Sequence, residues 1–317
     1  MRMRVITAAC ALAAAGACLF AQGAARPLRI GLMPAYNSAP LVVAEAAGLY
    51  RDNGIDVRLV PFSGQLERET ALQTGALDGT VSDLINAIQA WRHGSAARVT
   101  SVTEGHFCLL ASPRSSLRSL GDWPSGAAGK VKTGLLENSI VFYLTERMLS
   151  AAGADPGRVE VVPIVQLPAR LEMLMAGRID AACLPEPLAT LAVSRGARLL
   201  ADSDRMGATP GVLLFTGKAL AEKGTAIAAF YRAYDAAVDE LARRPGAYAR
   251  AVVDGCGFPP AVAEVMRLPR FRHRFLPSEQ LVADVGAWMV RKGLVDALPA
   301  YGQIVVSDFA AGDARAQ

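Results

Sequence analysis

Histidine is scarce: His93, His106 and His273 are the three in 317 residues, far apart and without an HExxH spacing. No paired CxxC accompanies them, so a resident zinc site has no support and no metal is expected. Lysine is nearly as rare, so the charge of +4 is carried by arginine. No stretch concentrates basic residues, which argues against a dedicated nucleic-acid binder. Of five cysteines only Cys108, Cys183 and Cys256 lie beyond residue 25. An odd number leaves at least one thiol unpaired and implies no disulfide framework. No GxGxxG follows the first strand, and Gly126-Ala127-Ala128-Gly129-Lys130 has the wrong spacing for a phosphate-binding loop, so no cofactor is expected. No apolar run beyond residue 25 reads as a membrane span.

What is present is a large apolar fraction, 52%, against 20% charged residues, enough for a sizeable core. The chain begins with Arg2 and Arg4, an uncharged run from Val5 to Phe20, and small residues to Ala25. A basic start, an apolar centre and a small-residue exit predict a signal peptide over residues 1–25 and a periplasmic or otherwise extracytoplasmic mature chain. Ala15-Gly16-Ala17-Cys18 offers a second exit, a lipoprotein signal to residue 17 with Cys18 lipidated and anchored in the membrane, though Ala15 stands where Leu is usual.

Short apolar runs then alternate with helical patterns. Strands are expected at Leu28–Met33, Asp56–Phe62, Gly79–Val81, Arg98–Val102, Phe107–Ala111, Lys130–Leu135, Val159–Pro163, Ile179–Leu184 and Val212–Thr216. Helices are expected at Pro40–Leu49, Arg68–Thr74, Leu84–Trp91, Ile140–Ala152, Leu167–Ala176 and Leu188–Ser194. The alternation predicts βαβ units and parallel sheets. The last third turns helical: Ile227, Phe230, Tyr231, Tyr234, Val238 and Leu241 follow a 3.6-residue spacing that Pro245 stops, and Leu281, Val285, Trp288 and Met289 form a second stripe. A weak internal echo links Gly75 and Asp78 before one strand to Gly177 and Asp180 before another.

Export, two βαβ runs and several segments resemble the type II periplasmic solute-binding proteins of ABC importers, in the nitrate/sulfonate/taurine and thiamine-precursor (pyrimidine) branch. The segments are Leu28–Pro34 leading to Ala39–Ala44, Gly48–Val57, Gly177–Ala181 followed by Leu184–Pro187, and Ser278–Leu294; the likeness runs from about Leu28 to Phe309. The resemblance implies an α/β, two-lobed periplasmic-binding-protein type II fold. Its two βαβ lobes are joined by a two-crossover hinge, and the helical C-terminal segment packs on lobe one. Lobe one is expected at residues 26–110 plus 206–317 and lobe two at 111–205. The implied activity is capture of a small organic solute by hinge closure, with the closed form docking on a membrane permease; a monomer is expected.

Ligands of parallel sheets bind beyond the carboxyl ends of strands, where helix N-termini point inward. The strand-to-helix turns therefore supply the candidates: Tyr36, Asn37, Ser38, Ser63, Gly64, Ser82, Asp83 and Glu104 in lobe one, and Glu137, Asn138, Ser139, Gln166 and Glu186 in lobe two. Ser38, Asn37, Asn138 and Ser139 have an equal reading as helix caps, and for Asp83 the cap is the favoured one. Four carboxylates stand among the candidates against Arg170 and His106 as nearby cations, which points to a neutral or cationic ligand. The alternative is an enzyme on the same fold, sulfinate desulfinase-like or pyrimidine-synthase-like. His106 and Cys108 share a strand face, but Cys108 sits in an apolar run where a buried thiol is expected, and the Cys-rich cluster of the pyrimidine synthases is missing. The reading is therefore a binding protein without catalytic residues.

Overall fold

The computed structural model describes residues 26–126, 129–206 and 210–309. The expected signal segment, Cys18 included, lies outside the described residues. Among the described residues ten strands run in chain order: β1 (Leu28–Leu32), β2 (Val57–Pro61), β3 (Gly79–Asp83), β4 (Arg98–Val102), β5 (Phe107–Ala111), β6 (Val131–Leu135), β7 (Val159–Pro163), β8 (Ala181–Pro185), β9 (Arg198–Asp202) and β10 (Gly211–Phe215). They form two five-stranded sheets, ordered β2-β1-β3-β10-β4 and β7-β6-β8-β5-β9. In each, four strands run in one direction and a strand arriving from the other sheet inserts antiparallel to its two neighbours: β10 between β3 and β4, β5 between β8 and β9.

The chain changes sheets twice, between β4 and β5 through residues 103–106 and again between β9 and β10. The expected first boundary, after residue 110, falls inside β5, which pairs wholly within the second sheet. An apolar run such as Phe107-Cys108-Leu109-Leu110-Ala111 signals a buried strand but not its partner.

The faint echo is a structural repeat. Gly75 (φ +74°) and Gly177 (φ +69°) each end a helix in the left-handed conformation that glycine adopts freely. Three residues later the Asp78 carboxylate accepts from Arg29 N (2.8 Å), and the Asp180 carboxylate from Lys132 N (3.0 Å). Each aspartate thus ties the entry of its strand to the neighbouring one. The strand pairs meet closely at Gly31 and Gly134: a Cβ at Gly134 would stand 2.4 Å from Ile179 Cδ1, and one at Gly31 2.7 Å from Leu77 Cδ1.

Helices cover both sheets. The expected helix Pro40–Leu49 is interrupted at Gly48 (φ +75°), giving Ala39–Ala46 and Leu49–Asp52. Helix Gly224–Arg243 buries its whole predicted stripe, with Phe230 stacked on Tyr50 and edge-on to Phe215 and Tyr231. It packs on Ala39–Ala46 in the first lobe. The rest of the C-terminal segment straddles both lobes. Helix Glu279–Arg291 lies on Leu84–Arg92 of the first lobe. It also reaches helix Ile140–Ala151 of the second, where Trp288 Nε1 donates to Glu146 (2.7 Å) and packs edge-on against Phe142 and Tyr143. Lys292 donates to the same carboxylate. Among the described residues no helix is long and apolar enough to cross a membrane.

Candidate functional site

The carboxyl ends of β1 and β3 face those of β6 and β8 across a closed cleft. Backbone bonds span it: Leu167 N donates to Ser63 O (3.2 Å) and Tyr36 N to Glu186 O (3.0 Å), while Gly64 and Gln166 form an isolated antiparallel bridge. On one flank Gln89 Nε2 donates to Asn138 O (3.3 Å). Between the lobes lies a cavity of about 70 Å3 with mostly apolar walls, among them Met33, Val81, Phe107, Ile140, Val165 and Leu167. Its polar lining is Asn37, Gln65, Arg68, Ser82 and Asp83 from the first lobe and Arg170 from the second. A larger surface hollow of about 710 Å3 lies at the opposite pole of the first lobe, where Arg29 and Lys223 are already paired with Asp78.

The polar groups are built up from the strand ends. Asp83 closes β3 and caps helix Leu84–Arg92, its carboxylate accepting from Asn86 N and Asn86 Nδ2 (both 2.9 Å). Burial pushes its pKa up to about 6, and the nearby Arg68 guanidinium opposes that rise. Arg68, on helix Gln65–Gln73, is 4% exposed and gives Nη2 to Glu69 and to Ser82 Oγ (3.2 Å). Its Nε has no hydrogen-bond partner. Asn37 gives Nδ2 to Thr103 Oγ1 (3.3 Å) on the first crossing, and its Oδ1 is likewise buried without a partner. Arg170 is spent on the backbone, bonding Ile164 O and Cys183 O.

Of the expected residues, Asn37, Ser82 and Asp83 line the cavity. Ser63, Gly64 and Gln166 stitch its rim through the bonds named above. Tyr36 is buried beside it with its hydroxyl accepting from Arg267 N (3.1 Å), a covering role. Ser38 bonds Met33 O (2.8 Å) and Ser139 bonds Leu136 O, so neither caps a helix with its side chain. Asn138 holds a left-handed turn (φ +58°) and is exposed, as is Glu137.

The expectation drawn from charge needs correction. Glu104 pairs with Arg272 away from the cavity, and Glu186 folds back onto Thr190 N and Oγ1 (both 2.9 Å). His106 is held by Asp204 on the surface. Asp83 is the sole carboxylate among the residues lining the cavity, and Arg68, which is not among the expected residues, lines it with an unpartnered Nε. Arg68 stands beside Glu67 and Glu69 in a stretch that reads as a solvated helix face. The signal that finds it is the repeat, because Arg68 and Arg170 are 102 residues apart, as are Gly75 and Gly177.

Nor does the cleft hold an activated thiol. Cys108 Sγ lies 3.8 Å from Glu186 Oε1, and burial plus that carboxylate push the thiol well above its ordinary value. Burial raises Cys183 to about 11. Among the described residues no group of histidine, cysteine and acidic side chains could hold a metal.

Two similar α/β lobes, a double crossing and a cleft closed at the strand ends define the periplasmic-binding-protein type II fold. Within it, the chain belongs to the NMT1-like family, whose model matches residues 21–253. Among solved structures it is similar to a ligand-binding component of an ABC-type import system from Staphylococcus aureus with zinc bound. That match has 17% identity and a TM-score of 0.74, covering 90% of this chain and 98% of that one. It is similar to the alkanesulfonate-binding protein SsuA from Xanthomonas axonopodis pv. citri bound to MOPS, at 22% identity, TM-score 0.69, and 88% and 96% coverage. A desulfurization enzyme, DSZB, shares the architecture at 17% identity, TM-score 0.63, and 89% and 97% coverage. At these identities the likeness is one of fold. No curated protein matches the chain.

Proposed function

We propose that this protein is the extracytoplasmic solute-binding component of an ABC importer, capturing a small organic solute by hinge closure and presenting the closed form to a membrane permease. The observation that carries this reading is the cavity itself. It is walled by both lobes and mostly apolar, and two of its lining side chains, Arg68 and Asn37, each keep a buried polar atom, Nε and Oδ1, without a hydrogen-bond partner. Pockets of this make-up hold small molecules by apolar contact and fix them with a few directed polar groups. The contact set is Asn37, Gln65, Arg68, Ser82 and Asp83, with Arg170 shaping the far wall. Lobe one comprises β1–β4, β10 and most of the C-terminal helices, and lobe two comprises β5–β9. The working unit is a monomer in the periplasm, lipid-anchored if Cys18 is modified, and it uses neither metal, cofactor nor nucleic acid.

Against an enzyme on the same fold stands Cys108, whose protonated, buried thiol beside a carboxylate is the reverse of an activated nucleophile. The test is a thermal-shift screen of residues 26–317, unfolded and refolded to strip retained ligand. The panel holds pyrimidines, sulfonates, nitrate, polyamines, amides and carboxylates. The expected result is a selective rise in Tm that grows with the logarithm of ligand concentration. A flat panel accompanied by turnover of a sulfinate would overturn the reading.

A further inference from the structure

The two lobes act as controls for each other's arginine. Arg68 and Arg170 are each the fourth residue of equivalent helices, Gln65–Gln73 and Leu167–Met175, and both are buried at the cavity. At the two positions beside them the repeat differs. The first lobe has Glu69 and Ser82; the same offset of 102 residues places Leu171 and Leu184 in the second. With apolar side chains at both positions, Arg170 turns to the main chain and gives Nε and Nη2 to Ile164 O and Nη1 to Cys183 O. In the first lobe Glu69 and Ser82 draw off Nη2 of Arg68 and leave its buried Nε without a partner. One arginine is structural and the other is free to meet a ligand.

A second residue lining the same cavity, Asn37, likewise keeps a buried atom without a partner, Oδ1. A buried polar atom left unpaired carries its full desolvation penalty, so the cleft favours an occupant that satisfies both. The fixed charges cancel. Arg68 and Arg170 stand against Asp83 and against Glu69, which is bonded directly to Arg68. An ion sealed into this cleft would bring an uncompensated charge, whereas a dipole would not.

Resting on the solute-binding reading above, we propose that Arg68 anchors the ligand and that the cleft selects a net-neutral, dipolar solute. This solute accepts from Arg68 Nε and donates to Asn37 Oδ1, and it is preferred over singly charged ions of the same size.

The test uses sets that differ in charge and little in shape: the carboxamide, carboxylate and amidinium carried on methyl, isopropyl and phenyl bodies. Binding to residues 26–317 is measured by ligand-observed NMR at pH 7.5, with circular dichroism confirming that each variant is folded. The amide of at least one body is expected to bind roughly tenfold more tightly than its carboxylate and its amidinium. Asn37→Asp, which adds one negative charge with almost no change of shape, moves the preference to the amidinium. Arg68→Met moves it the same way. A carboxylate that binds as well as the amide on every body, or a ranking unchanged in Asn37→Asp, overturns the inference while leaving the binding function intact. If no compound of these sets or of the wider panel binds, the solute-binding reading itself falls, and the inference with it.

Discussion

Asp83 offers a direct measure of how dry and how charged the cleft is. It is buried at the end of β3, and desolvation outweighs the Arg68 charge and the backbone donors of Ile85 and Asn86, pushing its pKa from 3.8 to about 6. The perturbation is Asp83→Asn, which keeps an oxygen to cap Asn86 N and cannot titrate. A rise of about two pKa units corresponds to roughly 3 kcal/mol of preference for the protonated form in the folded state. Between about pH 4 and 6 the folded state therefore binds more protons than the unfolded one. The stability this contributes is complete below the unfolded pKa and is lost as pH rises through the folded one. Roughly 2 kcal/mol of it falls between pH 4.5 and 7.5. The assay is urea unfolding of both proteins across that window, where titrations common to the two cancel in the difference. Wild type should lose about 2 kcal/mol relative to Asp83→Asn on going up in pH. A difference that stays flat, or that moves in favour of wild type as pH rises, would refute the claim that Asp83 sits desolvated beside an arginine only partly compensating it.

Two further outcomes follow from contacts outside the cavity. Trp288→Phe keeps the ring against Phe142 and Tyr143 but removes the bond to Glu146, so it should cost about 1–2 kcal/mol in denaturant titration; no loss of stability would show that the C-terminal helix does not hold the second lobe through this carboxylate. Cys108, Cys183 and Cys256 are all buried with thiols pushed up by desolvation, so iodoacetamide at pH 8 should leave the native protein unmodified by mass spectrometry and label it after denaturation; rapid native labelling of Cys108 would restore the enzyme reading.

The sequence reveals strands and helices well where a period meets a clear stop. β4, β5 and β7 and helix Leu188–Ser194 lie where their apolar runs place them, and the stripe from Ile227 to Leu241 is wholly buried. What it does not reveal is partnership. The run Phe107–Ala111 looks the same whether it pairs with β4 or with β8, so the sequence alone does not place the change of sheet before it. The turn residues illustrate the same limit from the side of function. Glu137 and Glu186 occupy strand-to-helix turns and Glu104 lies instead in the first crossing between sheets, and each is drawn elsewhere: to solvent, to Thr190 and to Arg272. Whether a carboxylate faces a cavity depends on what competes for it in three dimensions.

Arg68 shows that the missing information was partly in the sequence, in the comparison of the chain with itself. The Gly–Asp echo supplies an offset of 102 residues, and the same offset lays Arg68 on Arg170, Glu69 on Leu171 and Ser82 on Leu184. Two like arginines with unlike neighbours cannot share one role. The one flanked by leucines has only backbone carbonyls to meet; the one flanked by a carboxylate and a hydroxyl is held at one nitrogen and leaves another open. The lobes' likeness makes the cleft close as a matched pair, and their departure from it at two positions turns one wall into scaffold and the other into a recognition surface.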